Sequence, residues 1–224
     1  MIEGKRVLAI IPARGGSLRL PRKNVLPFAG KPLIVWTVEA ARASRYIDRV
    51  ILSSDDEEAM AVVRASGGDV PFRRPDALAT SSASSSSVVH HALEALGEHW
   101  DMVVLLQPTS PLRRAQDIDA CIEKAAETEG GSCITVSRLP KPPAYFGRLE
   151  SDVFSGHDFF GEATPCIVNG AVYAINTVRF CSIDGFVEAG TRAHVMDWAD
   201  SIDIDDAEEF RLAEALMQAR GSLP

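Results

Sequence analysis

Short, almost uninterrupted apolar runs alternate with amphipathic stretches through the first two-thirds of this chain, and few folds accept that alternation. Val7 to Ile11 reads as a buried strand and is followed by a Gly/Arg/Pro-rich loop. Residues 32–45 then read as a helix with Leu33, Val35, Trp36, Val38, Ala40 and Ala41 on its apolar side. The pattern repeats as a strand over 49–53, a helix over 57–66 ended by Gly67-Gly68, and a short strand over 69–72. A helix over 84–96, a strand over 102–107, a helix over 115–128 and a strand over 132–137 continue it. Strands apolar on both faces need cover on both faces, which predicts a mostly parallel sheet flanked by helices, an α/β fold. The length suits one domain spanning 1–224. Residues 139–166, rich in proline and aromatics, break the rhythm and read as an inserted arm, either a lid or a dimer contact. A strand over 168–175 and an amphipathic helix over 205–220 close the pattern.

In open α/β sheets ligands bind beyond the carboxyl ends of the strands. That rule selects the loops 12–24, 53–56 and 107–113. A formal charge of -8 argues against nucleic acid as a partner, since phosphate-backbone binding needs a basic face. No apolar run approaches the ~18 residues of a membrane span, and the run at Val7–Ile11 is too short for a secretory signal. Cys121, Cys133, Cys166 and Cys181 lack metal-ligand spacing and suit a reducing, cytoplasmic setting. The charge is unevenly spread. Lys5, Arg6, Arg14, Arg19, Arg22 and Lys23 crowd the start, whereas residues 197–209 hold acids and no base. Two solvated faces would look like this, and so would a site for an anionic ligand with a divalent cation.

The loop Pro12–Asn24 is neither a Walker loop nor a GxGxxG fingerprint. Gly15 and Gly16 are read as letting backbone amides turn inward on a phosphate, with Arg14, Arg19 and Lys23 adding cations. Such residues position and stabilise a phosphoryl group in displacement at phosphorus. Asp203 and Asp205 alternate, so an extended backbone would aim both carboxylates to one side. With phosphate oxygens they would make an ordinary environment for Mg²⁺ or Mn²⁺; alternatively they cap the following helix, a role that suits Asp206 better. In the serine cluster 81–87, Ser84 or a neighbour reads as a helix cap.

Seven blocks carry a resemblance. IIPARGGS (10–17) with KN (23–24), GKPLIVWT (30–37), RVILSSDD (49–56), PFRRPDALA (71–79), LLQPTSPLR (105–113), VNGAVYAI (168–175) and SIDIDDAEEF (201–210) run in order along most of the chain. Together they resemble the acylneuraminate cytidylyltransferases, which make CMP-sialic acids. The resemblance implies a Rossmann-like nucleotidyltransferase fold that moves CMP from CTP to an acidic nine-carbon sugar, such as N-acetylneuraminate, legionaminate or pseudaminate. It implies a homodimer in which the arm exchanges between subunits. It also implies a triphosphate segment around Ala13, Arg14, Gly15, Ser17, Arg19, Lys23 and Asn24, and cytosine and ribose contacts from Arg74, Ala83 and Ser85. Gln107 and Asn169 then face the sugar, Asp203 and Asp205 hold the metal, and Arg14 and Lys23 stabilise the transition state. Two departures stand out: Leu18 replaces the usual lysine, and the arm is short. The S-x-R-L-P-x-K wording of residues 17–23 also resembles the octulosonate cytidylyltransferases, in which Arg19 would contact the nucleotide. That leaves a CMP-octulosonate synthetase or another nucleotidyltransferase as the second reading, and a homologue that binds nucleotide without turnover as the third. All the enzymatic readings require Arg14 and Asp203 to face one cleft.

Overall fold

A computed structural model describes residues 1–128, 131–139, 141–156, 160–161 and 163–221. In chain order its elements are β1 (Val7–Ala13), β2 (Pro27–Phe28), β3 (Lys31–Pro32), α1 (Leu33–Arg42), β4 (Arg49–Ser54) and α2 (Glu57–Ala65). There follow α3 (Ser85–Leu96), β5 (Met102–Leu105), α4 (Ala115–Ala126), β6 (Ser132–Arg138), β7 (Gly147–Glu150) and β8 (Val153–Gly156). The chain continues through β9 (Cys166–Asn176), α5 (Thr177–Ile183), β10 (Arg192–Met196) and α6 (Ala207–Gly221).

Six strands form one mixed sheet in the order β10-β6-β9-β5-β1-β4. β1 runs parallel to β4 and β5, β6 runs parallel to β10, and β9 lies antiparallel to both β5 and β6. The uninterrupted apolar character of β1 has a direct cause. Val7, Ala9, Ile11 and Ala13 pack on one face with Ile34 and Val38 of α1 and Ile118 and Ile122 of α4. Leu8 and Ile10 pack on the other with Val89 and Ala92 of α3 and Phe180 of α5. Both faces are covered, as an α/β sheet requires.

A third core lies beside the sheet. Phe28 meets Trp36 and Phe210 edge-on, and Leu33, Leu112, Ile202, Ile204 and Ala213 fill the space around them. This cluster docks α6 and the segment before it against the loop that follows β1. Burial of several such side chains, at roughly 1.5–3 kcal/mol each, suffices to fix that approach.

Some local expectations are corrected. No strand forms over 69–72; Asp69 makes a single bridge to Ile51, and Pro71 has no N–H to extend a ladder. The first helix begins at Leu33 and ends at Arg42, inside the expected 32–45. The arm is not irregular throughout: β7 and β8 pair as a small hairpin, turned by Ser151 and Asp152 with φ of 47° and 68°. Pro140, His157–Phe159 and Glu162 of the expected arm lie outside the described residues. α5 and the edge strand β10 had no clear signature in the sequence.

Candidate active site

The loop after β1 is held by its own side chains. Asn24 is buried and its Nδ2 donates to the Arg14 carbonyl at 3.2 Å. Arg22, in a left-handed conformation at φ 59°, ion-pairs with Glu58 and so pins the loop to α2. The Gly15 amide donates to Asp55 Oδ1 at 3.1 Å. Neither Gly15 nor Gly16 has a positive φ. Space at 15 is tight, because a Cβ there would lie 3.3 Å from Asp56 Cβ. The amide of Gly15 is thus spent on the loop after β4 and does not turn inward as the sequence suggested.

At the far end of the chain the third core sorts alternate residues. Ile202 and Ile204 enter it, while Asp203 and Asp205 line a cleft of about 360 Å³ on the other side. The Ile204 amide donates to the Thr109 carbonyl at 2.8 Å, which ties this segment to the loop after β5. Asp206 caps α6 by accepting from the amides of Glu208 at 2.8 Å and Glu209 at 3.0 Å. Glu209 Oε2 accepts in return from the Asp205 amide at 2.7 Å. Asp206 is therefore the cap, which leaves the side chains of Asp203 and Asp205 for the cleft.

Those two carboxylates differ. Burial pushes the Asp203 carboxyl up, opposed by a Thr109 hydrogen bond and reinforced by the Asp205 charge, and the net direction is upward. Its Oδ1 is buried with no hydrogen-bond partner among the described residues. Burial also raises Asp205, but Lys23 and Arg19 outweigh it and hold that carboxyl below its ordinary value. Lys23 Nζ donates to the Ile204 carbonyl at 2.7 Å and to Asp205 Oδ1 at 3.1 Å, and Arg19 ion-pairs with the second oxygen.

The cleft brings most of the expected residues together. Ala13, Arg14, Ser17, Lys23 and Asn24 come from the first loop, Arg74, Ala83 and Ser85 from 74–85, and Gln107, Asp203 and Asp205 from elsewhere. Arg14 and Asp203 face the same space, as the sequence argument required. The Arg14 guanidinium has no ion pair among the described residues. Arg74 is buried; its Nε donates to Ser53 Oγ at 3.1 Å and its Nη2 to the Ser53 carbonyl. Burial, with Asp55 opposing and Arg14 assisting, lowers its pKa to about 10. Ser84 caps α3 through the Ser87 amide at 3.1 Å, leaving Ser85 on the wall. Gly15 and Arg19 are not part of the wall. Leu18 is 82% exposed and does not line it either.

A second cavity of about 440 Å³ adjoins the first and shares Gln107 and Asp203 with it. Asn169 lies in its wall, with Nδ2 on Ser201 Oγ at 3.0 Å and Oδ1 accepting from the Ala171 amide at 3.2 Å. Next to it, Gly170 has φ 75°, and a Cβ there would sit 2.6 Å from Gln107 Oε1. Sequence reasoning missed several members of these walls. Arg138 is the one cation among the described residues lining the second cavity, which Tyr173 and Trp198 also line. Asp55 and Thr109 support the first cavity from loops that the strand-end rule had already selected. Arg138 sits at a strand end too, the single positional cue that could have found it.

Comparison with known proteins follows from this geometry. The profile of the cytidylyltransferase family matches residues 8–144. Over 225 residues the chain is 33% identical to an N-acylneuraminate cytidylyltransferase of Escherichia coli, covering 96% of this chain and 53% of that protein. It is 32% identical to a CMP-N,N'-diacetyllegionaminic acid synthase of Legionella pneumophila, covering 95% of this chain and 97% of that one. The chain therefore spans about half the length of the first relative and nearly all of the second. A solved CMP:2-keto-3-deoxy-manno-octonic acid synthetase in complex with CTP shares the fold at a TM-score of 0.75 and 18% identity, over 96% of this chain and 100% of that one.

Proposed function

The chain belongs to the cytidylyltransferase family, and from that membership and the geometry of its two adjoining cavities we propose that it transfers CMP from CTP to the anomeric hydroxyl of a nonulosonic acid. The acceptor oxygen attacks the α-phosphorus in line, the bond from that phosphorus to the bridging oxygen breaks, and pyrophosphate leaves while the hydroxyl proton is lost. Displacement of this kind depends on positioning and charge stabilisation. Arg14 and Lys23 meet the phosphates, and Ala13, Ser17 and Asn24 shape that end of the cleft. Arg74, Ala83 and Ser85 receive the nucleoside.

The observation that carries this reading is convergence. Arg14 and Lys23 from the first loop and Asp203 and Asp205 from the far end line one cleft, and that cleft opens into a second cavity at Gln107 and Asp203. Gln107 offers the acceptor both a donor and an acceptor group. Asn169 braces β9 from within through Ser201 and the Ala171 amide, and Arg138 offers the sugar carboxylate a cation.

A divalent cation, Mg²⁺ or Mn²⁺, fits Asp203 and Asp205: the orphaned buried Oδ1 of Asp203 is an oxygen in need of a positive partner. When bound, such an ion would neutralise charge developing on the phosphates and ease deprotonation of the acceptor hydroxyl. Among the described residues no third His, Cys, Asp or Glu joins the two carboxylates, so phosphate and water oxygens would complete the shell.

The protein is further proposed to act as a homodimer through its arm, supported by exposed Tyr145, Leu149, Val153 and Phe154. Free thiols at Cys121, Cys133, Cys166 and Cys181 support a cytoplasmic setting. No helix among the described residues is long and apolar enough to cross a membrane. Pyrophosphate release measured over a panel of nucleotides and acidic sugars tests the reading. CTP with a nonulosonic acid should give the highest kcat/KM. Preference for an octulosonate would move the acceptor assignment, and silence with every pair would end it.

A further inference from the structure

Arg113 is a buried cation that the proposed reaction does not use. It is 3% exposed, and among the described residues it has no ion-pair partner. Its Nη1 donates to the Gln107 carbonyl at 3.0 Å and to the Ala171 carbonyl at 2.9 Å. Its Nε and Nη2 are buried without partners among the described residues. Burial lowers its pKa to about 10, with Asp117 opposing. An uncompensated buried charge is costly, and a methionine or leucine would fill similar volume without that cost. What an apolar residue could not do is hold a carbonyl of β9 and one of the loop after β5 together.

Gln107, which follows β5, lines both cavities, and Ala171 sits in β9 directly beyond Asn169 and Gly170, which line the second. The Ser110 amide closes on the Gln107 carbonyl at 3.4 Å and the Arg113 amide on the Ser110 carbonyl at 3.3 Å, so the loop is wound around the guanidinium. From that loop, Thr109 holds Asp203 and the Ile204 amide. The Gln107 side chain lies against Gly170, where no Cβ stands in its way.

We propose that Arg113 is a positioning residue for the acceptor side: by bridging the Gln107 and Ala171 carbonyls it sets Gln107 and the Asn169–Gly170 stretch of β9 at one spacing. This rests on the reading of the second cavity as the acceptor pocket. The nucleotide end of the cleft is built from the first loop and from 74–85, which Arg113 does not touch.

The test compares Arg113→Met and Arg113→Lys with the unaltered protein. Arg113→Met should raise the KM for the acidic sugar on the order of tenfold while the KM for CTP stays within about twofold, and Arg113→Lys should fall between. An unchanged sugar KM overturns the proposal. So does a parallel rise in both KM values with a lowered Tm, which a merely structural role predicts. If the methionine variant does not fold, the lysine variant carries the same comparison. If the unaltered protein turns over no acidic sugar, the functional reading has failed on its own. Hydrogen exchange on Arg113→Lys then decides: faster exchange confined to 107–113 and 169–172 supports positioning, and uniform or absent change overturns it.

Discussion

Lys23 and Asp205 lie 3.1 Å apart, Nζ to Oδ1, joining the loop after the first strand to the segment before the last helix. The contact leaves Asp205 charged and stations a cation beside it, so neutralising either member should unbalance the cleft. Asp205→Asn is expected to lower kcat by at least about a hundredfold and to abolish the response to Mg²⁺. A titration of pyrophosphate release against Mg²⁺ reads both; unaltered kinetics would remove the metal assignment.

Arg14 faces the cleft, and among the described residues its guanidinium has no ion-pair partner. Arg14→Ala should cost about 3 kcal/mol of transition-state stabilisation, the scale of one preorganised donor, and leave the Tm within a degree or two. Steady-state kinetics beside a melting curve would check it, and a loss of stability matching the loss of activity would count against a catalytic role.

Leu18 is solvent-facing and outside the wall. Leu18→Lys should therefore change stability by less than ~0.5 kcal/mol and activity by less than about twofold. A large gain in kcat would mean that a cation at this position reaches the triphosphate.

Gly170 combines a left-handed φ with the close approach of Gln107 Oε1. Gly170→Ala should destabilise by about 1–2 kcal/mol and displace the Gln107 amide. Calorimetry and the sugar KM should respond together; a wild-type KM would show that Gln107 does not contact the acceptor.

Asp117 accepts from the Arg114 amide at 2.9 Å and pairs with His194 at 3.2 Å. Burial alone would raise its carboxyl, but these partners outweigh it and hold the pKa below the ordinary value. A depressed acid stabilises the fold above its unfolded pKa, near about 3.9, and that contribution is lost as pH falls through the folded value. Replacing the partner by His194→Phe should therefore shift acid unfolding, followed by circular dichroism, to higher pH. An unmoved midpoint would argue that the pair contributes nothing.

The parts of this molecule that could be read from its residues are those with local causes. Apolar runs at β1, β4 and β5 declare a sheet covered on both sides, and loops at strand ends follow from the sheet. Asp206 and Ser84 announce themselves as caps by position. The turn of β9 against its neighbours was not legible, because strand direction depends on how the arm returns. Gly15 misled for a related reason: Asp55, which takes its amide, and Asp56, which crowds it, are distant in sequence and come close only once β4 is beside β1. Arg113 was visible within a motif, yet nothing in its neighbours told that it would be buried with no counterion among the described residues.

The third core has a consequence for when the molecule becomes competent. Lys23 must meet Ile204, 181 residues later, before the loop after β1 and the carboxylates share one space. Closing so long a loop costs entropy that grows only with the logarithm of its length. The space lined by Arg14, Lys23, Asp203 and Asp205 therefore exists only in a chain folded from its first strand to its last helix.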